Sequence, residues 1–323
     1  MRILLAGGAG FVGSHLVDVL LEGGHEIIVV DTLEKGRLEN IKHHIGKKNF
    51  TFIKQDIRTF TYDGELDTIV NLVASKIPRY SSGLKTLTLN VDVGRYLLNM
   101  AREKHARYIL ISTSDVYGKS KDFPFREDGD LVLGPSTSRR WTYAVSKIYN
   151  EHLTFAYIDE YNINATILRY FGIYGPRQYL NWWGGPIGVF IDAIYNDKEV
   201  EIHGDGKQKR SFIYIEDVKN ATLKVIERED LNGEIINIGT EEEISILELA
   251  ALIGELLRKK PTLRFIPYEH FSPNYEDPKR RIGSIEKAKR LLSFEPGFTL
   301  KEGLKKTIEW YEKTRSDKKW STD

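Results

Sequence analysis

The stretch "MRILLAGGAGFVGSHLVDVLLEGGHEIIVVD", residues 1–31, sets Gly7, Gly8, Gly10 and Gly13 between two apolar runs. "RILLA" (2–6) has the pattern of a short buried strand, and "EIIVVD" (26–31) that of a second. Between them, Phe11 to Leu21 puts Val12, Leu16, Val19 and Leu20 on one helix face. An Arg followed by apolar and small residues can also begin a secretory signal peptide. No A-x-A-like cleavage site follows, however, and the next segment reads as an ordinary amphipathic helix. The better reading is a strand that enters a tight glycine turn, which then opens a helix whose N-terminus faces a phosphate.

The same alternation continues downstream. "FTFIKQD" (50–56), "DTIVNLVA" (67–74), "RYILIST" (107–113) and "NATILRY" (164–170) read as strands, with helices near 84–105 and over 142–161. Strands alternating with helices imply right-handed crossovers and a parallel sheet covered on both faces. The expected fold is therefore α/β, a doubly wound parallel sheet of Rossmann type with a smaller C-terminal α/β domain. Past residue 176 the regularity weakens. A Trp/Gly/Pro-rich loop, "YLNWWGGP" (179–186), leads to shorter elements and to helices near 246–259, 284–292 and 300–315, and the tail "RSDKKWSTD" looks frayed. This divides the chain into residues 1–176 and 177–323, with elements from about 210–240 returning to the first part.

Composition narrows the function. The 323 residues suffice for one large α/β domain or two joined ones. Lys+Arg 47 against Asp+Glu 46 leaves a net charge of +1, so no broad basic surface for nucleic acid or membrane is expected and any anion site must be local. There is no Cys, which excludes disulfides, thiolate nucleophiles and cysteine metal sites, and fits a reducing cytoplasm. No apolar run reaches ~18 residues, so no transmembrane helix is predicted. The histidines lack metal-ligand spacing; the adjacent His43 and His44 sit in a polar stretch and are expected to face solvent.

Gly7, Gly10 and Gly13 form G-x-x-G-x-x-G on the strand-to-helix junction. The first glycine permits the sharp turn, the second lets a pyrophosphate approach the backbone, and the third lets helix and strand pack closely. Asp31 ends the second strand, at about the 20-residue distance where an acidic side chain accepts hydrogen bonds from a ribose 2′-OH and repels a 2′-phosphate. The pattern predicts NAD rather than NADP, although Lys35 and Arg37 follow closely. Phe11 and Val12 in the turn, Asp56 at the end of the third strand with Ile57 next to it, and Ala74 at the end of the fourth complete the expected cofactor contacts. Asp56 reads equally well as a strand-end cap.

"STSDVYG" (112–118) follows the strand at 107–113, and "RRWTYAVSK" (139–147) carries Tyr143 and Lys147 one helical turn apart. A nearby ammonium lowers a phenol's pKa and makes Tyr a usable base. Thr113 can share the reacting proton with Tyr143. With the glycine turn, these residues resemble an extended short-chain dehydrogenase/reductase of the nucleotide-sugar epimerase/dehydratase/decarboxylase class, from residue 1 to about 313. The resemblance implies tightly held NAD and transient oxidation of sugar C4. Tyr143 is then the base, and Lys147 holds the nicotinamide ribose and tunes Tyr143. "GDGKQKRSFIYIEDV" (204–218) and "KRRIGSIEKAKRLLSFEP" (279–296) resemble the family's nucleotide-diphosphate segments, with Arg210 and Arg281 as phosphate contacts. It also implies a homodimer through the helices near 84–105 and 142–161.

The fate of the 4-keto sugar is left open between decarboxylation and 4-epimerisation. A 4,6-dehydratase has Asp-Glu after the Thr, whereas this chain has Ser114-Asp115; UDP-glucuronate decarboxylases have Thr-Ser-Glu, one methylene longer. Lys76, Arg79 and Tyr80 are candidates to bind a sugar carboxylate, and Arg177 of "YFGIYGPR" is a further substrate candidate. Gly172 of that stretch stands where the family has Asn; read as extra room beside the sugar, it favours epimerisation. The Trp182-Trp183 loop is expected to pack as a lid. The remaining alternatives are a dehydratase and a non-catalytic NAD-binding sensor, the latter disfavoured by the joint presence of Thr113, Tyr143 and Lys147.

Overall fold

The structure, a computed structural model, describes residues 1–76, 82–271 and 275–316. Arg79, Tyr80 and the end of the tail, 317–323, lie outside the described residues. The chain begins with β1 (Arg2–Ala6), α1 (Phe11–Glu22), β2 (Glu26–Asp31), β3 (Phe50–Lys54), β4 (Thr68–Asn71), α2 (Gly83–Lys104), β5 (Arg107–Thr113), α3 (Thr142–Tyr161) and β6 (Ala165–Tyr170). Then come β7 (Gly172–Tyr174), α4 (Pro186–Tyr195), β8 (Val200–His203), β9 (Lys209–Tyr214), α5 (Ile215–Ile226) and β10 (Ile235–Ile238). The last elements are β11 (Glu243–Ser245), α6 (Ile246–Leu257), β12 (Leu263–Ile266), β13 (Arg280–Arg281), α7 (Glu286–Leu292) and α8 (Leu300–Ser316).

Seven parallel strands form the main sheet in the order β10-β6-β5-β4-β1-β2-β3. Successive residues of β1 supply opposite faces, as a strand's period of two requires. Ile3 and Leu5 join the core shared with α1, α4 and α5, whereas Leu4 and Ala6 join the core under α2 and α3. Register brings the strand ends level: Ala6 pairs with Val30 on one side and Asn71 on the other, and Thr113 pairs with Tyr170. The strand order reverses between β1 and β4, so the carboxyl ends there leave a crevice for a ligand. A smaller sheet joins β9 to β7, β11 and β13, and β8 pairs with β12.

The strands at 2–6, 26–31 and 107–113 and the helix at 142–161 match the sequence reading. β3 and β4 are shorter than expected because Gln55 and Asp56 in the one, and Leu72 to Ala74 in the other, leave the sheet to line the crevice. The sequence reading missed two helices. In α4, Ile187, Phe190, Ile191 and Ile194 are buried at helical spacing behind Pro186 at the first turn. In α5, Ile215, Val218, Thr222 and Val225 repeat that spacing, where the sequence reading resolved only shorter elements. No helix among the described residues is long and apolar enough to cross a membrane.

Candidate active site

A cleft of about 1110 Å³ runs from the glycine turn past Thr113 and Tyr143 to Arg210 and Arg281. Gly7 opens the turn at φ +85°, a conformation that side chains resist. A Cβ on Gly13 would lie 2.6 Å from the Gly7 carbonyl oxygen and 2.7 Å from the Gly8 Cα, so only glycine permits the helix to start this close to the strand. Gly7, Gly10, Phe11, Val12 and Gly13 line the cleft, and the first turn of α1 opens on it with no capping side chain. That leaves backbone N–H groups for a pyrophosphate. Asp31 accepts from the backbone N–H of Ala9 (3.1 Å) and Leu33 (2.9 Å), which fixes its carboxylate at the cleft wall with lone pairs to spare. Burial raises its pKa and the two N–H groups oppose the rise. A dinucleotide fits this cradle: NAD would lie along the turn with its adenosine ribose at Asp31.

Asp56, Ile57 and Ala74 also line the cleft. Asp56 accepts from the Arg58 backbone N–H (2.9 Å) and side chain (2.6 Å), and so serves as the cap that was the other reading of this residue.

At the centre, Tyr143 projects from the first turn of α3 towards the end of β5. A hydrogen bond with Thr113 lowers its pKa, but burial and the charge of Asp115 outweigh that bond and hold the phenol above its ordinary value. Lys147 is 2% exposed and donates to the Ile111 carbonyl (2.8 Å). Burial brings its ammonium down to about 8, against the pull of Glu151. In the protein alone, Lys147 thus serves the β5 backbone, and burial holds the Tyr143 phenol up. One turn beyond, Glu151 pairs with Arg169 (2.7 Å) and accepts from Ser112 (2.5 Å). Ser114 is buried beside Asp115.

At the sugar end, Asp115 belongs to a cluster that sequence reading missed. Arg140 reaches Asp115 (2.8 Å) and Asp277 (3.0 Å), Arg281 reaches Asp115 (3.1 Å), and Arg210 reaches Asp277 (2.6 Å). Burial alone would raise Asp115, but Arg281 and Arg140 hold it at about 2. Burial lowers Arg281 to about 10, with Arg210 and Arg140 adding to the effect against Asp115. Arg140 stands three residues before Tyr143, within the stretch 139–147, and that position was its only sequence signal for this partnership. Asp277 gave none. Lys76 lines the cleft and lies within the field of Asp115.

Three expectations change. Gly172 leaves no room beside the sugar: a Cβ there would lie 2.8 Å from the Ser211 carbonyl oxygen and 2.9 Å from the Phe212 ring, because β7 pairs with β9 at this position. Arg177 does not line the cleft but pairs with Asp18 on α1 (2.7 Å). His44 is buried and only His43 faces solvent; both reach Asp18, at 2.6 and 3.1 Å. Lys47, which can only donate, approaches His44 Nδ1 (2.9 Å), so Nε2 carries the proton given to Asp18. Asp18, His43 and His44 thereby offer ligand atoms within 4.8 Å of one another, a grouping that their sequence spacing did not foresee. The Trp loop packs: Trp182 stacks on His203 (4.0 Å between centroids), and Trp183 lies under Lys35.

Residues 3–239 match the NAD dependent epimerase/dehydratase family. UDP-N-acetyl-alpha-D-glucosaminuronate decarboxylase of Bacillus cytotoxicus is 35% identical over 98% of this chain and 99% of its own. UDP-glucuronic acid decarboxylase 1 of Danio rerio is 36% identical over 96% of this chain and 72% of its own. Among solved structures, UDP-glucuronic acid 4-epimerase from Bacillus cereus, in complex with UDP-glucuronic acid and NAD, is 31% identical with a TM-score of 0.86, over 97% of this chain and 99% of the other. The chain therefore belongs to the NAD-dependent epimerase/dehydratase family, and is an NAD-dependent nucleotide-sugar-modifying enzyme.

Proposed function

We propose that the enzyme oxidises C4 of a UDP-linked uronic acid and decarboxylates the resulting 4-keto acid. The observation that carries this reading is the positive wall at the sugar end of the cleft. Among the described residues, Lys76, Arg210 and Arg281 line it against two carboxylates, Asp115 and Asp277, and Arg140 pairs with both carboxylates from outside the lining. A sugar diphosphate bearing a further carboxylate would neutralise that surplus. The likeness to decarboxylases of uronic acids supports the same substrate class. When bound, NAD supplies reversible hydride exchange at C4.

The protein's own part is to hold and move protons. Tyr143, bonded to Thr113, takes the C4 hydroxyl proton, and Lys147 lends positive charge and grips the nicotinamide ribose. Oxidation at C4 makes the C6 carboxylate a β-keto acid. As the C5–C6 bond breaks, its electrons pass to the C4 oxygen, where the Tyr143 and Thr113 hydroxyls lie, and a proton returns to C5. Lys76 meets the leaving carboxylate, Arg140 holds Asp115 in place with Ser114 beside it, and Arg210 and Arg281 take the diphosphate. In this reading residues 1–176 mainly hold the cofactor and 177–323 mainly the nucleotide sugar. Exposed apolar side chains on α2 and α3, Leu84, Leu87, Val145 and Tyr149, support a homodimer through those helices. Cytoplasmic location is proposed on the cysteine-free composition.

The second reading is 4-epimerisation of the same acid, favoured by the likeness to the Bacillus cereus enzyme. Gly172 no longer argues for it. Incubation with UDP-glucuronate and with its 2-acetamido counterpart, read by mass and NMR, separates the two. Loss of CO₂ is expected; an unchanged mass with inverted C4 would replace decarboxylation by epimerisation.

A further inference from the structure

Two cations stand beside the residue that reads the adenosine ribose. Lys35 and Arg37 flank Gly36, and a Cβ on Gly36 would lie 2.6 Å from Asp31 Oδ2. Lys35 lines the cleft itself. Cations at this place can offset the repulsion between Asp31 and a 2′-phosphate, and so weaken selection against NADP.

Both are held on aromatic rings that arrive from far along the chain. The Lys35 ammonium lies 4.1 Å from the centroid of the Trp183 ring, and the Arg37 guanidinium 4.7 Å from that of Tyr179. The Tyr179 hydroxyl donates to the Lys35 carbonyl, which pins the backbone between the two cations. Arg37 is held from the other side too, its backbone N–H donating to the Ala9 carbonyl (3.0 Å). The loop that brings the rings is itself braced. Gln178 donates to the Ile173 and Gly184 carbonyls (2.8 and 2.6 Å), Asn181 accepts from the Trp183 N–H (3.0 Å), and Trp182 is stacked on His203. The ring faces attract the cations electrostatically and fix where they point.

We propose that the Tyr179–Trp183 loop is a second determinant of cofactor choice, which keeps Lys35 and Arg37 on its rings and away from the position of a 2′-phosphate. Asp31 repels that phosphate, and the loop prevents the neighbouring cations from cancelling the repulsion. Selection for NAD thus depends on residues outside the dinucleotide turn.

The test is direct binding of NAD and NADP to cofactor-stripped enzyme, by calorimetry and by quenching of protein fluorescence. The double variant Tyr179→Leu/Trp183→Leu keeps apolar bulk and removes both rings. Its NADP affinity relative to NAD is expected to rise about tenfold. Adding Lys35→Ala and Arg37→Ala in the same protein is expected to reverse the gain, and Tyr179→Phe alone to leave the ratio near wild type. An unchanged ratio in the double variant, or a gain that survives loss of both cations, overturns the proposal. Circular dichroism and retained NAD binding establish that the double variant is folded. Should it fail to fold, Lys35→Ala/Arg37→Ala in the wild-type background decides instead: with both cations held away, the ratio is expected to stay within about twofold, and a larger fall overturns the proposal.

Discussion

At one end of the cleft, Gly7, Gly10 and Gly13 keep side chains out, so that backbone N–H groups can meet a pyrophosphate. At the other end, Asp115, Arg140, Asp277, Arg210 and Arg281 fill the wall with side chains drawn from well-separated stretches of the chain. The first end works by main-chain geometry, and at Gly7 and Gly13 it calls for glycine. The second works by paired charge, where each ion needs its partner because an isolated charge in this wall is costly. Between them, Tyr143 and Lys147 depend on a single turn of α3. A substitution should therefore fail differently according to where it falls.

The largest effect is expected at the junction. Tyr143→Phe removes the proton acceptor and keeps the ring, and turnover should fall by ~10²–10⁴. Bound NAD should be unaffected, since the glycine turn is untouched. Near wild-type turnover would remove Tyr143 from the chemistry.

At the main-chain end, Gly13→Ala drives a Cβ into two backbone groups that cannot rotate away. Overpacking of this kind costs typically 1–3 kcal/mol. The variant should lose NAD on gel filtration and melt earlier, and retention of stoichiometric NAD would show that the turn is looser than described.

At the charged end, Asp115→Asn should cut CO₂ release more than it cuts NAD reduction by the substrate. It should also change the acid stability of the fold. Asp115 titrates near 2 in the folded protein against 3.8 for the ordinary group, so it favours the folded state above pH ~4. That contribution, of order 2 kcal/mol, fades as pH falls towards 2. Denaturation of the two proteins across that range checks the sign: the gap between them should narrow on acidification. A gap that is constant with pH would mean that Asp115 is not held as an ion by Arg140 and Arg281.

The smallest effect is expected off the cleft. Arg177→Ala loses a partly exposed pair with Asp18, worth about 1 kcal/mol or less, and should leave KM for the nucleotide sugar unchanged. A raised KM would restore Arg177 to the substrate site.

The same contrast explains what could be read from sequence. The cofactor end is local: a strand, a glycine turn, a helix and Asp31 fall within one short segment, and α3 carries Tyr143 and Lys147 on one face. The charged end is not local. Arg140 meets Asp277 across more than a hundred residues, and no periodicity announces such a pair. Gly172 misled for a related reason, because an absent side chain looks like space until the neighbouring strand is known; here Phe212 and Ser211 already occupy it. Arg177 had a phosphate-binding residue type and a motif position, yet Asp18 on α1 claims it. His44 became buried because Asp18 and Lys47 satisfy both ring nitrogens, which adjacency to His43 does not reveal.

The central claim is that the charged wall receives a uronate and the oxidised sugar then loses its carboxylate. Its most direct test is the mass and NMR spectrum of the product formed from UDP-glucuronate labelled with ¹³C at C6, with released gas collected. The account predicts labelled CO₂ and a UDP-pentose. Label retained in a UDP-hexuronate of unchanged mass would contradict it.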